Sequence, residues 1–149
     1  MKVKISNMCR ILNGDQVLVQ NRTKNDWPGI TFPGGKLEQQ ESIYESCVRE
    51  VKEETGLDVF DLKLKGIIHY ELKEKEERWI IYLFETHHFE GTLSYDSSED
   101  EVFWMEQKDL AHSLLSNDLD VYLKVYEDDT IIEAHANWYG NTSGTFTFY

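Results

Sequence analysis

The chain is short of the features that brace or anchor a protein from outside. Two cysteines and two prolines occur in 149 residues, Lys and Arg total 15 against 28 Asp and Glu, and no long uninterrupted apolar run is present. Each shortage excludes something. Cys9 and Cys47 have no metal-ligand spacing and cannot make a disulfide-dense scaffold, so they read as reduced packing residues of a cytoplasmic protein. A formal charge of -13 is unsuited to tracking a nucleic-acid polymer, whose phosphates need compensating cations. No stretch is long enough to span a bilayer, and Met1-Lys2-Val3-Lys4-Ile5-Ser6 lacks the apolar run of a signal peptide, so no membrane association is expected.

What is there suffices for a core. Hydrophobic residues make up 40% and aromatics 13%, which in 149 residues predicts one globular domain over 1–149. The chain is organised around Gly34-Gly35-Lys36 and the segment from Ser42 to Leu57. Ser42 followed three residues later by Glu45 predicts a capping box, and Gly56 a left-handed cap at the other end of a helix. On that helix Ile43, Cys47, Val48 and Val51 form an apolar stripe, while Glu50, Glu53 and Glu54 crowd a neighbouring face. Like charges three and four residues apart repel. A hard divalent cation, which prefers oxygen ligands and keeps places for water and phosphate, reverses that sign. A solvated acidic face is the plainer reading of the same residues.

The wider pattern is more specific. Gly35, Glu41, Arg49-Glu50-Val51, Glu53-Glu54 and Gly56-Leu57 stand at the spacing G-x5-E-x7-R-E-U-x-E-E-x-G-U, which resembles the Nudix box at every defining position. The entry Phe32-Pro33-Gly34 is similar to that of MutT-like members. The resemblance implies an α/β/α sandwich with a mixed sheet between helices, and an enzyme that hydrolyses nucleoside diphosphates linked to another moiety. It implies Mg²⁺, with Mn²⁺ as an alternative, held by Glu50, Glu53, Glu54 and the Gly34 carbonyl, with Glu41 supporting the metal and its waters. Either Glu53 or Glu99 is the implied general base; Glu101 is a second choice to Glu99 on the loop before a late strand. The leading substrate is an oxidised purine triphosphate such as 8-oxo-dGTP, cleaved to monophosphate and pyrophosphate in sanitising the nucleotide pool. ADP-ribose or another nucleotide sugar is the alternative, and a non-enzymatic nucleotide sensor a third reading.

Outside the box, Val3 to Leu12 and Gln16 to Gln20 read as strands joined by a turn at Asn13-Gly14, and Ile30 to Phe32 as a short strand. The polar loop between carries Arg22 and Lys24, suited to phosphates or to solvent, and Trp27, suited to stacking on a base or to covering the core. Lys36 has the same two readings as Arg22. Further strands are expected at Leu64 to Leu72, Arg78 to Phe89 and Val102 to Met105, and helices at Gln107 to Leu115 and Asp118 to Tyr126. Asn117 caps the second helix in this reading, with contact to a purine edge as its other role. His69, His87 and His88 are expected as packing or surface residues. The tail predicts a β-hairpin that extends the sheet, closes the cleft or pairs protomers into a homodimer.

Overall fold

A computed structural model describes residues 1–23, 28–94, 100–139 and 142–149, with backbone alone at 142 and 143. In chain order the elements are β1 (Lys2–Asn13), β2 (Gln16–Arg22), β3 (Gly29–Thr31), β4 (Gly34–Lys36), α1 (Ile43–Thr55), β5 (Asp58–Phe60) and β6 (Lys63–Leu72). A single 3-10 turn, Lys73–Lys75, leads to β7 (Glu77–Thr86), β8 (His88–Glu90), β9 (Glu101–Glu106), α2 (Gln107–Leu110), α3 (Leu119–Glu127), β10 (Glu133–Tyr139), β11 (Thr142–Ser143) and β12 (Thr147–Phe148).

The main sheet is mixed, in the order β11-β10-β6-β7-β1-β2-β3, with β12 also on β10, β4 on β1 and β9 on β2. Strand β1 runs parallel to β7 and β10 parallel to β6; the other pairings are antiparallel. Alternation along the strands feeds two cores, one on each face. Cys9, Ile11, Leu18 and Phe84 pack with Cys47, Val51 and Leu57 from α1 and its exit. Leu12, Val17, Val19, Ile68, Tyr70 and Leu83 pack instead with Leu119, Tyr122, Val125 and Tyr126 of α3. This is the helix–sheet–helix sandwich expected from the sequence. Cys9 and Cys47 are free and buried between α1 and the sheet, where the adjacent Cys47 thiol and burial push the Cys9 thiol's pKa up.

Helix α1 has the expected ends. Ser42 Oγ accepts from Glu45 N at 2.9 Å, Glu45 Oε1 accepts from Ser42 N at 3.1 Å, and Gly56 closes the helix at φ 81°. Such an N-cap contributes about 1 kcal/mol. Ser46 and Thr55 join Cys47 and Val51 as fully buried residues of α1, which the apolar stripe did not include.

Elsewhere the structure corrects the sequence reading. The first hairpin turns on Gly14 and Asp15, because Asn13 still pairs with Gln16, and only Gly14 needs positive φ. The expected glycine turn is strand β4, its backbone laid along β1 with Asn7 opposite Gly35. The single strand expected from Arg78 to Phe89 breaks at His87, where Thr86 Oγ1 takes the His88 amide and donates to the Phe60 carbonyl. The helix expected from Gln107 to Leu115 stops at Leu110. Leu115 instead pairs with Ile30 of β3, through Ile30 N to Leu114 O and Ser116 N to Ile30 O, so tertiary hydrogen bonds outweigh local helix propensity. Asn117 does not cap α3. Asp118 holds that position at φ 65° without a side-chain capping bond. The tail strand begins at Glu133 and, with β11 and β12 folded back on it, extends the sheet beside β6.

Candidate active site

Two consecutive glycines let β4 lie unusually close to its neighbours. A Cβ on Gly34 would stand 2.1 Å from the Asn7 carbonyl oxygen, and one on Gly35 2.2 Å from the carboxyl carbon of Glu50. The Glu50 carboxylate therefore packs directly against the β4 backbone. Glu50, Glu53 and Glu54 follow one another along the α1 edge, with side-chain exposures of 17% for Glu50 and 57% for Glu53.

Arg49 balances part of this charge. Its Nη1 donates to Glu50 Oε1 at 3.0 Å and to Glu53 Oε2 at 3.2 Å, while Nε and Nη2 make a bidentate pair with Glu41 at 3.0 and 2.9 Å. Nη2 also donates to the Lys36 carbonyl at 3.0 Å, tying the helix to the end of β4. The Arg49 pair, with the Glu38 amide, holds the Glu41 carboxyl down to about 2, and Glu41, with Glu50 and Glu53, keeps Arg49 charged. Among the described residues no three His, Cys, Asp or Glu side chains converge as a ready-made metal cage. The donor chemistry nonetheless fits a hard divalent ion: Glu50, Glu53 and Glu54 supply carboxylate oxygens on one edge, and the missing Cβ of Gly35 is what admits Glu50 there.

A cleft of about 350 Å³ opens beside this edge. Of the residues singled out in the sequence, Arg22, Phe32, Gly34, Gly35, Lys36, Glu54 and Asn117 line it. Glu50 lies behind Gly35, Glu53 on the outer rim of the helix, and Glu41 in the grip of Arg49. Trp27, Lys24 and Glu99 lie outside the described residues. Glu101 is exposed on β9 opposite Asn21 of β2, and it is Asp100, one residue earlier, that lines the cleft while accepting from the Thr23 amide at 3.2 Å.

Sequence reasoning missed the other end of the cleft. Gln20, Thr31 and Ser116 line it, each at most 9% exposed. Gln20 and Thr31 are cross-strand partners on β2 and β3, and Ser116 arrives with the segment that pairs to Ile30. Tyr122 closes the wall from α3, its hydroxyl 2.8 Å from that of Tyr70, which donates to Asp118 Oδ2 at 2.9 Å. Burial, above all, raises the pKa of both phenols and keeps them as hydroxyls. In the sequence these residues look like ordinary strand, loop and helix positions, with no motif to mark them.

A glycine-tight strand against a helix bearing three glutamates, beside a polar cleft, is joined by a direct match: residues 3–127 match the NUDIX domain family. The chain is a Nudix hydrolase. Members of this family generally use divalent metal ions and act on small nucleotide substrates. Among its relatives is YvcI, a Nudix hydrolase of Bacillus subtilis (strain 168), 26% identical over 143 residues that cover 94% of this chain and 84% of that one. The oxidized purine nucleoside triphosphate hydrolase of Mus musculus is 32% identical over 80 residues, covering 54% of this chain and 49% of that one. The MutT protein of Bacillus halodurans shares the fold with a TM-score of 0.82 at 24% identity, over 97% of each chain. No helix in the described residues of this Nudix chain is long and apolar enough to cross a membrane.

Proposed function

We propose that this Nudix hydrolase is a cytoplasmic, Mg²⁺-dependent pyrophosphohydrolase that splits a nucleoside triphosphate and water into nucleoside monophosphate and pyrophosphate, acting on oxidised purines such as 8-oxo-dGTP. The observation that carries the reading is the two-ended cleft. Arg22, Lys36, Glu54 and Asp100 lie along it, and so do Gln20, Thr31, Ser116 and Asn117, whose polar groups suit the edge of a base. Polar side chains that line a cleft are groups to which a ligand can hydrogen-bond.

In this reading Glu50, Glu53, Glu54 and the Gly34 carbonyl hold Mg²⁺, which Mn²⁺ can replace. When bound, the ion neutralises phosphate oxygens and makes water more acidic. Arg22 and Lys36 orient the phosphates as cations, Asn117 and Trp27 meet the base, and Glu41 fixes Arg49 so that the acidic edge keeps its shape. Glu53, the carboxylate most open to solvent, takes the proton from the attacking water, with Glu99 as the other candidate for that role.

Turnover of 8-oxo-dGTP, dGTP and ADP-ribose with Mg²⁺, with phosphate products identified, tests the proposal. The expected result is a preference for 8-oxo-dGTP with release of pyrophosphate. Preference for ADP-ribose would reassign the substrate, and release of inorganic phosphate alone would sink the bond assignment. Glu53→Gln is expected to cut kcat by about 10²- to 10⁴-fold with an unchanged melting temperature; near-normal turnover in that variant overturns Glu53's role.

A further inference from the structure

Asn7 lies on β1 opposite Gly35 of β4 and is 5% exposed. Both ends of its amide are engaged. Nδ2 donates to Ser46 Oγ at 2.9 Å, and Oδ1 accepts from the Gly35 amide at 3.4 Å. Ser46, fully buried in α1, donates its own hydrogen to the Lys36 carbonyl at 3.3 Å. A hydroxyl has one hydrogen to give, so Ser46 must accept from Asn7, and this sets which end of the amide faces β4. The three bonds join β1, α1 and β4 in one polar ring.

Such a ring is costly where apolar packing would serve. Serine is a poorer helix former than alanine, and both side chains had to be stripped of water. What the ring sets is a distance that apolar contact leaves loose. Ser46 stands one helical turn before Glu50, and the Glu50 carboxylate lies against Gly35, the residue whose amide Asn7 holds. We infer that Asn7 and Ser46 are positioning residues for the metal-binding edge: they fix where Glu50 stands relative to the Gly34-Gly35 backbone. The inference rests on the reading of Glu50 and Gly34 as metal ligands.

The test is Mn²⁺ binding to the metal-free protein without nucleotide, followed by electron paramagnetic resonance, for wild type, Ser46→Ala, Asn7→Leu and the double variant. Each single variant is expected to bind Mn²⁺ about tenfold more weakly, and the double no more weakly than the worse single, because either change opens the ring. In activity assays the half-saturating Mg²⁺ concentration rises while kcat at saturating Mg²⁺ is largely kept. Wild-type Mn²⁺ affinity in Ser46→Ala overturns the inference, whatever happens to the melting temperature. If Asn7→Leu does not fold, hydrogen exchange at the Gly35 amide decides: it is expected to quicken in Ser46→Ala, and an unchanged rate overturns the ring. Should wild type hydrolyse no nucleotide while the variants still lose Mn²⁺, the proposed function fails and the ring stands. Normal hydrolysis with unchanged Mn²⁺ affinity sinks the ring alone.

Discussion

Adjacent glycines of β4 face different neighbours, and this separates stability from activity residue by residue. Alanine at position 35 would meet the far end of the Glu50 side chain, which can swing away. Gly35→Ala is therefore expected to cost less than about 1 kcal/mol of stability while lowering activity about tenfold or more by displacing Glu50. Alanine at position 34 would meet backbone instead, the Asn7 carbonyl at 2.1 Å and Met8 Cα at 2.8 Å. Gly34→Ala must open the β1–β4 pairing, at an expected cost of about 3 kcal/mol or more. Denaturant unfolding and turnover of both variants check the contrast, and equal losses of stability would defeat it. The box spacing marked Gly35, and the MutT-like entry before it marked Gly34. It did not reveal their separate duties, because those depend on which atoms of β1 and α1 come opposite them.

At the scale of elements, the pairing of β6 with β10 sets His69 opposite His135, with ring centroids 4.7 Å apart. Arg78 reaches His69 Nε2 at 3.4 Å, Glu133 approaches Nδ1 at 3.6 Å, and Glu71 pairs with Arg78 at 3.0 Å. Burial first, then His135 and Arg78, lowers the His69 pKa against the smaller opposing pull of Glu133 and Glu71. An unfolded chain titrates its histidine near ~6.5, so below that pH it holds more protons here than the folded protein does. Stability is then full above this range and falls as the solution is acidified through it. His69→Asn is expected to flatten the drop in melting temperature between about pH 7 and pH 5; parallel curves for wild type and variant would refute the assignment. The sequence placed His69 in a strand as a packing residue but not beside His135, since parallel pairing joins segments distant along the chain. Helix α1 was legible from end to end because its caps and stripe are local. The expected helix to Leu115 was not, because its second half is claimed by β3.

Across the whole molecule, one ion network ties together four elements. Arg10 of β1, 7% exposed and stacked 5.0 Å over the Tyr126 ring, pairs with Glu85 of β7 at 2.7 Å and Glu127 of α3 at 2.5 Å. Lys65 of β6 reaches Glu85 at 3.5 Å and Asp129 at 2.6 Å. Glu85 is the shared anion between two largely buried cations. Removing it in Glu85→Ala is expected to cost roughly 3–5 kcal/mol. Glu127→Ala, whose side chain is 65% exposed, is expected to cost about 1 kcal/mol or less. Denaturation midpoints distinguish the two, and similar losses would mean that the network is not organised around Glu85. Nothing in the spacing of positions 10, 65, 85 and 127 marks them as partners.

The amino-acid order alone determined what is carried by neighbours in the chain: the capped helix, its crowded acidic edge, the glycines before it, and through their spacing the Nudix family. Tertiary structure decided what requires distant segments to meet. It made the glycine stretch a strand, ended α2 early, brought Asp100, Gln20, Thr31 and Ser116 to the cleft, and closed the Asn7–Ser46 ring. The division follows from the forces involved. Helix caps and side-chain stripes act within a few residues, whereas cleft walls and buried polar partners exist only once the sheet has paired and water has been expelled between its layers.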